Sequence, residues 1–105
     1  MRTQSLNRCS RLFKALGSES GLKIFILLGK ARVLSVSQIA REIGLSMSAT
    51  SHQLRNLEAA GFVTSLRKGR TICYLFTAHG VNTKLLECAR RTVHTSGNAK
   101  GRERQ

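Results

Sequence analysis

The side chains best suited to chemistry in this 105-residue chain fall in two clusters: Ser48, Ser51, His52, Gln53 and Arg55, and then Arg67, Lys68 and Arg70. The first offers hydroxyl, imidazole, amide and guanidinium groups, which can read donor and acceptor patterns on base edges. Gln53 carries an amide fork suited to adenine, and Arg55 suits guanine or a phosphate. The second crowds its cations around Gly69, an arrangement that repels itself unless an anion lies nearby. This is recognition chemistry, not bond-breaking chemistry. The sequence has no Asp, no glycine-rich phosphate loop and no nucleophile with an evident base and orienting carboxylate, so neither an enzyme activity nor a cofactor is expected.

Periodicity shows what must hold these clusters. Ile39, Ala40 and Ile43 mark a short helix that Ser35 or Ser37 is placed to cap. Gly44 turns the chain. A second helix, from about Met47 to Ala60, sets Met47, Thr50, Leu54 and Leu57 on one face. With that face inward, Ser48, His52, Arg55 and Ala59 point outward, and Ser51, Gln53 and Asn56 lie on the flanks. The N-terminal half of such a helix enters the major groove, which favours Ser48, Ser51, His52 and Gln53 for base contacts. Gly61 ends the helix. Phe62 to Leu66 and Thr71 to Thr77 then form a hairpin around Arg67-Lys68-Gly69-Arg70, with the tip at phosphate or in the minor groove. Ser46 and Gln38 stand at helix beginnings and are expected to cap them.

Charge agrees with this pattern. Eighteen Lys and Arg against 5 Asp and Glu leave a formal net charge of +13, so the partner is expected to be a polyanion, with duplex DNA leading. A membrane is not expected: the longest apolar run, Ile24 to Leu28, is far short of the roughly 18 residues of a spanning helix. The basic N-terminus is interrupted by Asn7, Arg8, Ser10, Arg11 and Lys14 and lacks a signal-peptide core, which points to the cytoplasm and the nucleoid. The three cysteines, Cys9, Cys73 and Cys88, are widely spaced without a C-x-x-C pair and read as free thiols.

Outside the central motif, Leu6, Cys9, Leu12, Phe13 and Leu16 share a helical face, closed by Gly17 and followed by Ser18 as the next cap. A second helix over about Glu19 to Gly29 is more apolar and is expected to be the buried centre. Downstream, Val81, Leu85, Cys88 and Thr92 share one face of a last helix, and Lys84, Glu87, Arg91 and His94 share another. Apolar stripes on both terminal helices predict a two-fold homodimer built from them. The expected fold is mainly α with a small β-hairpin (α+β): about five helices and a two-stranded wing over residues 1–95, then a disordered basic tail over 96–105. Paired recognition helices, roughly 34 to 36 Å apart, predict a palindromic operator.

LFKALGSES, SQIAREIGLSMSATSHQLRNLEAAGFV and RKGRTICY together resemble the ArsR/SmtB family of bacterial winged-helix repressors, over nearly all of residues 10–95. SHQLRNL and the G-R-x-x-x-Y wing are the more specific parts. The resemblance implies a homodimer on an inverted-repeat operator, released by an inducer that is commonly a metal or metalloid ion. It also implies dimerisation through the terminal helices.

The sensing residues depart from that family. Where metal sensors often carry C-V-C, this chain has Ser35-Val36-Ser37, and hydroxyls do not replace thiolates for a soft ion. Where others carry Asp-x-His and His-x-x-His or His-x-x-Glu, it has Thr77-Ala78-His79 and Arg91-Thr92-Val93-His94. No metal site is expected, and His79 and His94 read as surface histidines. Cys9 and Cys88 lie on the two dimerisation stripes, so they are either small core residues or a thiol sensor whose bridging would shift the recognition helices. Cys73 is expected to face solvent from the wing strand. The inducer is not identified by these residues. A second reading, a basic architectural or RNA-binding protein without specificity, is separated from the first by salt dependence and sequence preference.

Overall fold

The computed structural model describes residues 2–103, with side chains for residues 2–93. Helices α1 (Thr3–Leu16) and α2 (Glu19–Ala31) are followed by strand β1 (Val33–Ser35). Next come α3 (Val36–Ile43), α4 (Met47–Ala59), β2 (Val63–Lys68), β3 (Thr71–Phe76) and α5 (Val81–Glu103). The core is centred on α2, where Ile24, Phe25 and Leu28 are fully buried against Ile39, Leu54, Leu57 and Phe62. Phe25 packs edge-on against Phe62 at 5.0 Å and tilted against Phe76 at 5.6 Å, binding the helices to the sheet.

Local chemistry sets the boundaries. Ser18 Oγ accepts from the Gly21 amide, so α2 begins at the expected cap. Ser35 and Gln38 form a reciprocal capping box: Gln38 N donates to Ser35 Oγ at 3.2 Å and Ser35 N donates to Gln38 Oε1 at 2.9 Å. Between α3 and α4, Gly44 adopts φ 81°, a left-handed turn that a side chain disfavours.

The wing has three strands in the order β1-β3-β2, one more than the sequence predicts. Leu34 pairs with Tyr74 and Ser35 with Cys73 along the free edge of β3. The extra strand is too short to show a period of its own, and it leads directly into the α3 cap. It also changes the setting of Cys73, which is half-buried in the central strand instead of facing solvent. Tyr74 and Phe76 face the core as expected.

The terminal helices divide their stripes between core and surface. Leu12, Ala15 and Leu16 pack on the core, whereas Leu6, Cys9 and Phe13 are exposed, with Phe13 at 61%. In α5, Asn82 and Leu86 are buried and Leu85 packs on the core as expected, leaving Val81, Cys88 and Thr92 outside. Asn82 accounts for that rotation: only 5% exposed, it donates through Nδ2 to Gly61 O at 2.9 Å and Thr77 O at 2.8 Å. Helix α5 is assigned through Glu103, past the point where an irregular tail was expected. The side chains of 94–103, with His94 among them, and residues 104 and 105 lie outside the described residues.

Candidate nucleic-acid interface

Helix α4 is anchored from below and from both flanks. Thr50, Leu54 and Leu57 have no exposed surface, and the Thr50 hydroxyl is satisfied by donating to Ser46 O at 2.8 Å. Ser46 Oγ caps the helix by accepting from Ala49 N at 3.1 Å. Met47 was expected inward but is 53% exposed, because it sits in the first turn, beyond the edge of the α2 core. With the other three positions locked, Ser48, His52, Arg55 and Ala59 open to solvent along one line, as the helical wheel requires.

Two predicted contact residues lie on the flanks, where the helical wheel puts them. Ser51 is half-buried on the flank of the helix. Gln53 reaches towards the α1–α2 junction, where its Oε1 accepts from Ser18 Oγ at 3.4 Å. That junction is tight: a Cβ at Gly21 would stand 2.8 Å from Ser18 Oγ and 3.3 Å from Gln53 Oε1. Gln53 thus braces α4 against the start of α2 through Oε1, at the edge of the open face.

The other flank of α4 is tied to the wing. Glu58 accepts from both the Ser65 amide (3.1 Å) and hydroxyl (2.8 Å), fixing the C-terminal end of α4 to β2. Nearby, burial pushes the Tyr74 phenol above its ordinary value of 10.0. The Glu58 charge adds to that rise and the Arg55 charge opposes it. Beyond the body of the domain, β2 and β3 continue as a ribbon with Arg67 opposite Ile72 and Lys68 opposite Thr71. Gly69 takes φ 61° in the two-residue turn while Arg70 keeps negative φ, the type II′ pattern that matches strand twist. Arg67, Lys68 and Arg70 are all exposed. The ion pairs among the described residues are Lys23–Glu19 and Arg91–Glu87, so no carboxylate neutralises the tip.

The residues noted for sensing are occupied with local structure. Ser35 is a helix cap, and Ser37 Oγ lies 3.2 Å from Ser35 Oγ. Thr77 Oγ1 lies 3.0 Å from Thr64 Oγ1, and His79 is exposed beside it. Cys9 and Cys88 are both exposed on α1 and α5. Among the described residues no three His, Cys, Asp or Glu side chains gather as a metal site, and no helix is long and apolar enough to cross a membrane. Asn82 and Glu58 were missed at the sequence level. A polar side chain on the inward line of α5 was the available signal for Asn82; Glu58 offered none, since its partner is set by the sheet.

These elements define a winged helix-turn-helix, the architecture of DNA-binding regulators. Residues 21–65 match the family described as bacterial regulatory protein, arsR family. The transcriptional regulator NmtR of Mycobacterium tuberculosis is 37% identical over 78 residues, covering 73% of this chain and 64% of the relative. The cadmium resistance regulator CadC of Listeria innocua is 38% identical over 65 residues, covering 62% of this chain and 55% of the relative. The chain thus spans less than two thirds of the length of either. HlyU from Vibrio cholerae superposes with a TM-score of 0.74 at 28% identity, covering 88% of this chain and 97% of HlyU. The homodimeric winged helix-turn-helix DNA-binding domain Mb0332 from Mycobacterium bovis superposes with a TM-score of 0.75 at 25% identity, covering 87% and 82%. Residues 21–65 thus carry the DNA-binding motif of the arsR family, and the relatives that the chain resembles are transcriptional regulators.

Proposed function

We propose that residues 1–95 form a homodimeric repressor domain that binds an inverted-repeat operator and releases it when a thiol-reactive species, metal or metalloid ion reaches the dimer. The observation carrying this reading is the open line of Ser48, His52 and Arg55 on a helix held from the opposite side by fully buried Thr50, Leu54 and Leu57. Ser48, Ser51 and His52 read base edges, Arg55 takes a base or a phosphate, and Arg67, Lys68 and Arg70 grip the backbone from the side. Gln53 braces α4 through Oε1 and offers its Nε2 to a base edge. DNA as the partner sets the work on the nucleoid, in the cytoplasm.

Dimerisation is supported by the exposed apolar residues that the monomer leaves on its terminal helices: Leu6 (53%) and Phe13 on α1, and Val81 (51%) on α5. A two-fold pairing covers them and sets two α4 helices towards successive major grooves. Cys9 and Cys88 lie among these residues, so a modification or bridge there would act on the dimer and through it on operator spacing.

The test is a titration of a fluorescent duplex bearing an operator selected from random sequence, against a scrambled duplex of equal length. Preference for the selected site by roughly a thousand-fold or more supports a specific repressor. Equal binding to both duplexes and to RNA marks a non-specific basic protein instead. Repeating the titration with reduced, oxidised, persulfidated, zinc-treated and arsenite-treated protein, and with Cys9→Ser and Cys88→Ser, assigns or removes the thiol switch.

A further inference from the structure

Helix α1 carries Arg11 and Lys14 on the side that faces α4, and between the two helices lies an open groove of about 800 Å³. One wall presents Arg11 and Lys14, the other His52 and Asn56 from the recognition helix. The groove adjoins the open line of α4 on the flank opposite Glu58, the residue that ties α4 to the wing. A recognition helix in the major groove has a phosphate backbone on each side. The wing reaches one of them, and α1 stands at the other.

Charge supports the same placement. Helix α1 contains Arg8, Arg11 and Lys14 and no acidic residue, and neither Arg11 nor Lys14 pairs with a carboxylate among the described residues. Both are exposed, so no packing role explains them. Cations held next to the DNA-reading face without an internal counter-charge are suited to an external anion.

We propose that Arg11 and Lys14 form a second phosphate clamp, gripping the DNA backbone on the side of the recognition helix away from the wing. This rests on the DNA-binding reading above. In a homodimer the clamp adds two contacts per protomer, and because phosphates carry no sequence its contribution is equal on operator and scrambled DNA.

The experiment measures affinity for a scrambled duplex against salt concentration with wild-type protein, Arg11→Gln/Lys14→Gln, and the control Lys30→Gln/Arg90→Gln. The control removes the same charge from the hollow between α2 and α5, which shares no residue with the α1–α4 groove. Circular dichroism and thermal melting verify folding of each variant. The clamp predicts that log K against log salt becomes shallower by about 3 to 4 in the Arg11/Lys14 dimer, with affinity falling by at least roughly ten-fold at about 0.1 M salt. It predicts no comparable change in the control, and an operator-to-scrambled ratio that stays constant. A folded Arg11/Lys14 variant with the wild-type slope, or with a slope matching the control, overturns the clamp. A wild-type protein that binds no duplex at all overturns the DNA reading itself.

Discussion

Replacing Asn82 by alanine will cost this domain more than any other single truncation of a polar side chain. Its Nδ2 group makes two bonds across the fold, joining α5 to the residue that ends α4 (Gly61) and to the exit of the wing (Thr77). The two carbonyls are not equivalent. Thr77 O also accepts from His79 N at 3.2 Å and keeps a partner, whereas Gly61 O, at an exposed glycine, loses the Asn82 donor and is left to water. Each lost hydrogen bond costs about 0.5 to 1.5 kcal/mol, giving roughly 1 to 3 kcal/mol for the pair. For a domain near this size that corresponds to a fall in Tm of roughly 5 to 20 °C. Urea titration monitored by circular dichroism reads the change directly. Asn82→Asp, which keeps the shape but replaces the donors with acceptors, will be at least as damaging. A loss below about 0.5 kcal/mol in Asn82→Ala would refute the assignment of these bonds as the pin between α5 and the DNA-binding motif.

Three further outcomes follow from the same geometry. Gly29→Ala will destabilise the domain by about 1 to 3 kcal/mol, because a Cβ there runs into buried Leu86 where α2 meets α5; an unchanged urea midpoint would contradict that close approach. Tyr74 is the sole tyrosine, and its folded phenol titrates above 10.0, so the stability it contributes is complete below 10.0 and is lost as pH rises through the folded value; Tyr74→Phe will flatten that alkaline decline, and tyrosinate absorbance will show ionisation beginning above the ordinary value. Neutralising Arg67, Lys68 and Arg70 together will make the salt dependence of DNA affinity shallower by about 5 in the dimer while leaving thermal stability near wild type; an unchanged slope would remove the wing from the interface.

The elements legible from sequence are those whose signal is local. Ser18, Gly44 and Ser46 announce helix boundaries because caps and left-handed turns act within a few residues. Thr50, Leu54 and Leu57 announce the buried side of α4, and from it the outward line follows by geometry alone. What remained hidden depends on partners distant in sequence. Val33–Ser35 shows no period of its own and becomes a strand only by pairing with β3. Gln53 lies on the flank of the helical wheel, but which flank is occupied is decided by Ser18 and the glycine at 21. Periodicity puts Val81, Leu85, Cys88 and Thr92 on one stripe of α5, yet one buried amide, Asn82, orients the helix so that only Leu85 of these packs on the core, beside Leu86. The same rotation leaves Val81 and Cys88 outside, the side that the dimer proposal requires.

The central claim is that the outward line of α4 reads sequence, and the most direct measurement is the affinity ratio between a selected operator and a scrambled duplex for His52→Ala and Ser48→Ala. The account predicts that each substitution weakens operator binding by about 1 to 3 kcal/mol while scrambled-duplex binding and its salt slope stay at the wild-type level. Equal losses on both duplexes, or no loss on either, would contradict it.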